Sequence, residues 1–245
     1  MWRVWVYGLT MWLGQQSLHF VVNIPAYRLD AFMGDSLVRT VALAPGMPRY
    51  PSPRGSYTIT SVEWNPWWIP PDSPWAARER PTPPGATNPM GRVKLNFRPL
   101  YFLHGTPYEH SIGTAASHGC IRMLNCDAVA LAQLVLRAGG TNLSDEEIAR
   151  LAEDTVHTRM IELRTPVPLE IRYDLAEVRD GRLAVYRDIY GLGTGSRIDD
   201  AYAALAAAGV DAATIDTVRL RALVRSIKQS GNSIPLDSLV TVAPR

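Results

Sequence analysis

Residues 18–24 read LHFVVNI, which sets Leu18, Phe20, Val22 and Ile24 on one face at a period of two. The alternation resumes around Gly34-Asp35, so the chain opens on a β-hairpin. Residues 36–43, 56–62, 92–97 and 100–104 are predicted as further short strands, separated by clusters of Pro and Gly. Val167, Leu169, Ile171 and Tyr173 alternate in the same way, and Asp180-Gly181 within VRDGRL is a type I′ hairpin signal. A mainly β domain is therefore predicted to close near Tyr190.

Two helical stretches interrupt this pattern. Residues 126–138 carry Val129, Leu131, Leu134 and Val135 at helical spacing, with Asn125 as N-cap and Gly139-Gly140 as the stop. A second helix starts at Ser144, where Glu147 three residues on completes a capping box. After 191–196 (GLGTGS) comes an Ala-rich helical tail with Ile215, Val218, Leu220, Leu223, Val224 and Ile227 as its apolar positions. GLGTGS lacks the G-x-G-x-x-G spacing and a surrounding βαβ unit, so it reads as a flexible linker rather than a phosphate loop.

The 245 residues, 47% hydrophobic and 20% charged, suit one sizeable soluble domain with an appendage. Twenty-five basic against 23 acidic residues give a formal charge of +2, with the arginines interleaved among acids, which argues against a nucleic-acid partner. Two cysteines make neither a disulfide framework nor a four-ligand zinc site. The apolar start, residues 1–16, is too short to span a bilayer before Gln15, Gln16 and His19, and it lacks a small-residue cleavage site; it reads as a signal, an anchor or a truncated start.

The chemistry concentrates in residues 101–123, YFLHGTPYEHSIGTAASHGCIRM, with three His, one Cys and glycines that permit unusual backbone beside a reactive side chain. A cysteine attacks a carbonyl as its thiolate, so it needs an imidazole or a positive field to lower its pKa. His104, at the end of a predicted strand, can reach across to Cys120, and His118 lies two residues before it. The bland alternative is an inert core thiol beside a hydrogen-bonded His. Zinc held by His104, His118 and Cys120 lacks a fourth ligand. Cys126, at a helix start, is a competing nucleophile, or simply a small residue packed in a first turn.

His104-Gly105-Thr106 followed by 117–122, Ser-His-Gly-Cys-Ile-Arg, resembles the signature of the L,D-transpeptidase (YkuD) catalytic domain. The stretch from Tyr50 (YPSPRGSY), the Pro-rich run from Asn65 (NPWWIPP) and Asn88-Pro-Met-Gly resemble the segments that precede that signature, so the likeness covers about residues 17–190. The resemblance implies a YkuD-type β-sandwich or open barrel over 17–190 with a helical insert at about 126–156, leaving 191–245 as linker and helical tail. It further implies Cys120 as nucleophile, His104 as general base and acid, the Gly105 carbonyl as orienter of the imidazole, and the N–H groups of Gly119 and Cys120 as an oxyanion hole. His118 and Arg122 would shape the site and hold substrate, Arg122 either gripping a stem-peptide carboxylate or forming a structural salt bridge.

The partners implied are peptidoglycan stem peptides as donor and acceptor, with a carbapenem as covalent inhibitor, no cofactor and no metal. The expected location is the periplasm or cell envelope, with membrane or wall association. The competing readings are an L,D-carboxypeptidase, attachment of protein to peptidoglycan, and a non-catalytic wall-binding module. The Trp-rich stretch 64–75 fits a loop over the active site or a strap closing one end of the β domain.

Overall fold

The computed structural model describes residues 17–193, 195–227 and 231–240. The apolar start, 1–16, lies outside the described residues.

The chain forms β1 (Leu18–Asn23), β2 (Arg28–Met33), β3 (Ser36–Ala42), β4 (Gly55–Trp64), β5 (Val93–Arg98), β6 (Tyr101–Thr106), β7 (Ile121–Leu124), α1 (Asn125–Ala138), α2 (Asp145–Glu153) and β8 (Arg159–Arg172). After these come β9 (Ala176–Arg179), β10 (Arg182–Val185), α3 (Arg197–Ala207), α4 (Thr217–Arg225) and β11 (Asn232–Pro235). Eight strands make one sheet in the order β3-β2-β1-β8-β4-β5-β6-β7. Just past β3, Ala44 bridges Arg122 of β7 and Gly46 bridges Ser117, so the sheet curls until its two edges nearly meet. The mainly β, open-barrel expectation is what the chain forms.

The alternating apolar faces predicted for β1 and β8 are buried: Phe20, Val22, Val167, Leu169 and Ile171 join Trp64, Leu103 and Ile121 in one core. Through Leu131, Val135 and Leu136, α1 packs into that core against β4, β5, β6 and β8. Ser144 caps α2 with the reciprocal box to Glu147 that the sequence predicts. Asn125 is different: it is the first helical residue, preceded by Leu124 as N-cap. Its side chain accepts from the Arg92 N–H at 2.9 Å and donates to the Thr106 carbonyl, stitching α1 to the strands instead of capping it. Strand β8 also begins eight residues before the predicted alternation, because its first half is mostly exposed and carries no apolar period.

The second core crosses the boundary expected near Tyr190. Leu183 and Val185 of β10 pack with Ala201, Leu205, Leu220, Leu223 and Leu239, and β11 pairs with β10. The tail is thus part of a small α/β unit that begins at β9. Asp180 and Gly181 both take positive φ in the β9–β10 turn, as type I′ requires. Val218, counted among the apolar tail positions, is 76% exposed. Within GLGTGS, the N–H groups of Leu192 and Gly193 donate to the Asp188 carboxylate, so this stretch is tied down; Thr194 is outside the described residues. No helix among the described residues is long and apolar enough to cross a membrane.

Candidate active site

Strand β6 lies between antiparallel β5 and parallel β7, with Lys94 opposite His104 and His104 beside Arg122. A parallel pair needs a crossover, and the connection 107–120 supplies it, delivering Cys120 to the residue just before β7. Period-two alternation sends Leu103 and Ile121 into the core and leaves His104 and Arg122 on the other side of the sheet.

His104 is 2% exposed, and its Nδ1 lies 2.6 Å from the Gly105 carbonyl oxygen. That acceptor fixes the proton on Nδ1 when the ring is neutral and leaves Nε2 as the basic nitrogen. Burial, reinforced by the positive charges of Arg122 and Lys94, pushes the imidazole down to about 4 against the opposing carbonyls of Gly105 and Met90. Gly105 has no room for a side chain, since a Cβ would sit 2.3 Å from Asn125 Oδ1.

The Cys120 thiol points its Sγ toward the Leu100 carbonyl at 3.5 Å. Burial raises its pKa, and the Phe102 N–H, Arg122 and Lys94 counteract this only in part. The sequence-based expectation of a thiol lowered by a neighbouring imidazole is therefore corrected: at rest the pair is a neutral thiol and a neutral imidazole. Leu100, which offers that carbonyl, holds φ at 66°, a left-handed conformation that strains a residue with a side chain.

Ser117 clasps the turn before the thiol. Its hydroxyl donates to the Cys120 carbonyl and accepts from the Gly119 N–H at 3.0 Å. Gly119 takes φ +109°, and a Cβ there would lie 2.9 Å from the Tyr101 ring, so both conformation and space require glycine. The oxyanion role expected of Gly119 is corrected for this conformation, because its N–H is already engaged by Ser117. Ser52 supports the same turn, donating to the Gly119 carbonyl at 2.9 Å, and Tyr190 donates to the Gly46 carbonyl beside it at 2.7 Å.

His118 is stacked on Trp75 at 3.9 Å between centroids, with Tyr50 tilted against it at 4.8 Å. The Trp-rich loop therefore lies over the residues that flank Cys120. Asn88 anchors that loop through donations to the carbonyls of Pro66, Thr82 and Pro83. Arg122 has its guanidinium 5.9 Å from the Tyr108 ring, and among the described residues no carboxylate pairs with it, which removes the structural salt bridge from its two expected roles.

The fold thus brings His104, Gly105, His118, Gly119, Cys120 and Arg122 to one end of the β5–β7 sheet. Cys126 stands apart as an exposed residue in the first turn of α1. Sequence reasoning missed Lys94, Ser52, Ser117 and Tyr190. Ser117 alone carried a local signal, a hydroxyl two residues before a glycine; the others arrive through sheet register and long-range hydrogen bonds.

The model of the YkuD family, the L,D-transpeptidase catalytic domain, matches residues 17–168. The chain belongs to that family. A Bacillus licheniformis protein bearing the name L,D-transpeptidase YkuD is 32% identical over 124 residues, 50% of this chain and 62% of that protein. An Escherichia coli K12 protein bearing the name L,D-transpeptidase YbiS is 35% identical over 85 residues, 35% of this chain and 28% of that protein. The chain therefore spans less than two thirds of the length of these relatives. A solved L,D-transpeptidase from Mycobacterium smegmatis superposes with a TM-score of 0.41 at 15% identity, covering 64% of this chain and 58% of that one.

Proposed function

We propose that this protein is a cysteine L,D-transpeptidase acting on peptidoglycan stem peptides. The observation that carries the reading is the anchoring of buried, neutral His104 through Nδ1 to the Gly105 carbonyl, in the strand beside the one that Cys120 precedes. Nε2 is then the nitrogen free to take a proton. As Cys120 Sγ bonds to the carbonyl carbon of the L-centred third residue of a tetrapeptide stem, its proton passes to His104. The tetrahedral oxyanion collapses, the C–N bond to the terminal D-alanine breaks, and His104 returns the proton to the departing amine. The side-chain amine of a second stem takes the acyl group from the thioester; water in its place gives an L,D-carboxypeptidase, and a protein lysine gives attachment to the wall.

The resting protonation states support a proton transfer coupled to attack, because burial penalises both a standing thiolate and a standing imidazolium. The Cys120 N–H serves the oxyanion; a preorganised donor of this kind contributes about 3 kcal/mol. Arg122, with no carboxylate partner among the described residues, holds the carboxylate of the donor stem through its planar fork. His118, braced by Trp75 and Tyr50, walls the substrate groove. The substrate class implies an extracytoplasmic, envelope-associated location.

Intact mass spectrometry tests the proposal, with wild type and Cys120→Ala incubated with a disaccharide-tetrapeptide and separately with a carbapenem. An adduct on wild type alone, loss of D-alanine and a cross-linked dimer are the expected results. Free tripeptide without dimer shifts the reading to a carboxypeptidase. No adduct with either compound overturns it in favour of a wall-binding module.

A further inference from the structure

Four adjacent positions form a row across the sheet. Glu63 on β4 faces Lys94 on β5, Lys94 faces His104 on β6, and His104 sits beside Arg122 on β7. Lys94 and Glu63 are ion-paired with side chains only 15% and 11% exposed. Lys94 Nζ also stands 4.6 Å from the centroid of the Phe102 ring, on the strand whose Phe102 N–H reaches Cys120. The ammonium is therefore held at both ends of its reach, by a carboxylate on one side and an aromatic face on the other. A cation placed this way acts through low-dielectric surroundings and is screened little by salt.

The charged neighbours of the reacting pair can be named element by element. Lys94 comes from β5, and Arg122 from β7. The charged groups of α1 are engaged elsewhere, Asp127 with Arg39 and Arg137 with Asp145. Around Cys120, Arg98 stacks on Tyr101, and His118 is held by Trp75 and Tyr50. Apart from Arg122, the charge that acts on both His104 and Cys120 is that of Lys94.

We propose that Lys94, locked onto Glu63, is a positioning residue and the second cation of this active site, bracketing His104 with Arg122. The inference rests on the reading of Cys120 and His104 as the reacting pair. Its consequence is directional. An imidazolium formed between two cations is a strong acid and gives its proton readily to the leaving amine, while the same field steadies negative charge on sulfur. Glu63 moderates that field by offsetting part of the lysine charge.

The test reads titration rather than turnover. Iodoacetamide alkylation of Cys120 is followed across pH in a Cys126→Ser background, and the His104 ring is titrated by NMR. Lys94→Met is expected to raise both midpoints and to slow alkylation at pH 7 by roughly three- to tenfold, since each unit of thiol pKa is tenfold in thiolate. Lys94→Arg keeps both midpoints near wild type. Glu63→Gln moves them the opposite way, downward, and speeds alkylation. A role limited to packing would make Lys94→Met and Glu63→Gln shift in the same direction; that result, or a Lys94→Met protein indistinguishable from Lys94→Arg, overturns the proposal. Where Lys94→Met does not fold, Glu63→Gln measured against Lys94→Arg decides, and unchanged midpoints reject it. If the midpoints move as stated while no carbapenem adduct forms, the transpeptidase reading fails and the electrostatic one stands.

Discussion

The two cores of this chain meet across a junction rich in ion pairs. The β domain buries Trp64, Phe20, Leu131 and their neighbours and holds every candidate catalytic residue; the C-terminal unit buries a smaller set around Leu183, Leu205 and Leu220 and holds none. Between them runs a seam in which Arg28 grips Glu177 with two guanidinium bonds of 2.6 and 2.8 Å and also pairs with Asp30. Asp30 receives Arg179 from the other side and the Thr40 hydroxyl at 2.7 Å. A network of this kind fixes geometry more than it adds stability, because desolvating its charges offsets much of their attraction. The family match ends at residue 168, before β9, and so falls on the β-domain side of the seam.

The sharpest way to break the comparison is chemical. Cys120→Ala is expected to lower carbapenem acylation at least about a thousandfold, whereas Leu220→Ala, in the other core, leaves acylation per folded molecule unchanged, both read by intact mass. In stability the same Leu220→Ala costs about 2–5 kcal/mol, and in calorimetry this loss falls on the transition of the C-terminal unit alone; a shift of the whole profile would show the two cores to be one cooperative unit.

Acid separates the regions next. His104 titrates lower in the folded than in the unfolded chain, so between pH 6.5 and about 4 the unfolded state binds more protons. Stability is full above pH 6.5 and falls by up to about 3 kcal/mol as pH drops through that window, a slope that His104→Gln should flatten in denaturant melts. Against burial, which raises both, Asp30 is held below the ordinary carboxylate range by the Thr40 hydroxyl, Arg28 and Arg179, and Glu177 by Arg28 and Tyr186, so the seam keeps its contribution above that range and loosens only in more acid solution. Arg28→Ala leaves the part-buried Glu177 carboxylate without its ion-pair partner and Asp30 with Arg179 alone, and is expected to cost about 2–3 kcal/mol, read as a splitting of the thermal transition. The smallest effect is Ser144→Ala, which removes the capping box of α2 for about 1 kcal/mol and should leave the acylation rate of the folded protein untouched.

Much of the β domain was legible because its signals are local. Alternation marked β1 and the second half of β8, and β-forming residues between Pro and Gly clusters marked β3 and β4; Asp180-Gly181 marked the β9–β10 turn; Ser144 and Glu147 marked the start of α2. Cys120 and His104 were legible through a short motif. Strand β7 was not, since four residues between a reactive turn and a helix carry too little pattern, and β11 was hidden in a segment whose apolar residues suit a helix equally well. Asn125 misled because a helix-capping residue type is also an ordinary donor and acceptor, and here distant partners on β5 and β6 claim it.

The sequence by itself determined which residue types stand beside the thiol, where the chain can turn, and which faces must be buried, because these follow from side-chain chemistry and from periods of two and about 3.6. Only the tertiary structure decided what those residues can do. Burial raises the Cys120 thiol and lowers His104, parallel pairing of β6 with β7 sets Arg122 beside the imidazole, and register across four strands carries Glu63 and Lys94 to the same row. Desolvation and long-range electrostatics depend on what surrounds a group in space, and neighbours on adjacent strands are fixed by register, not by distance along the chain.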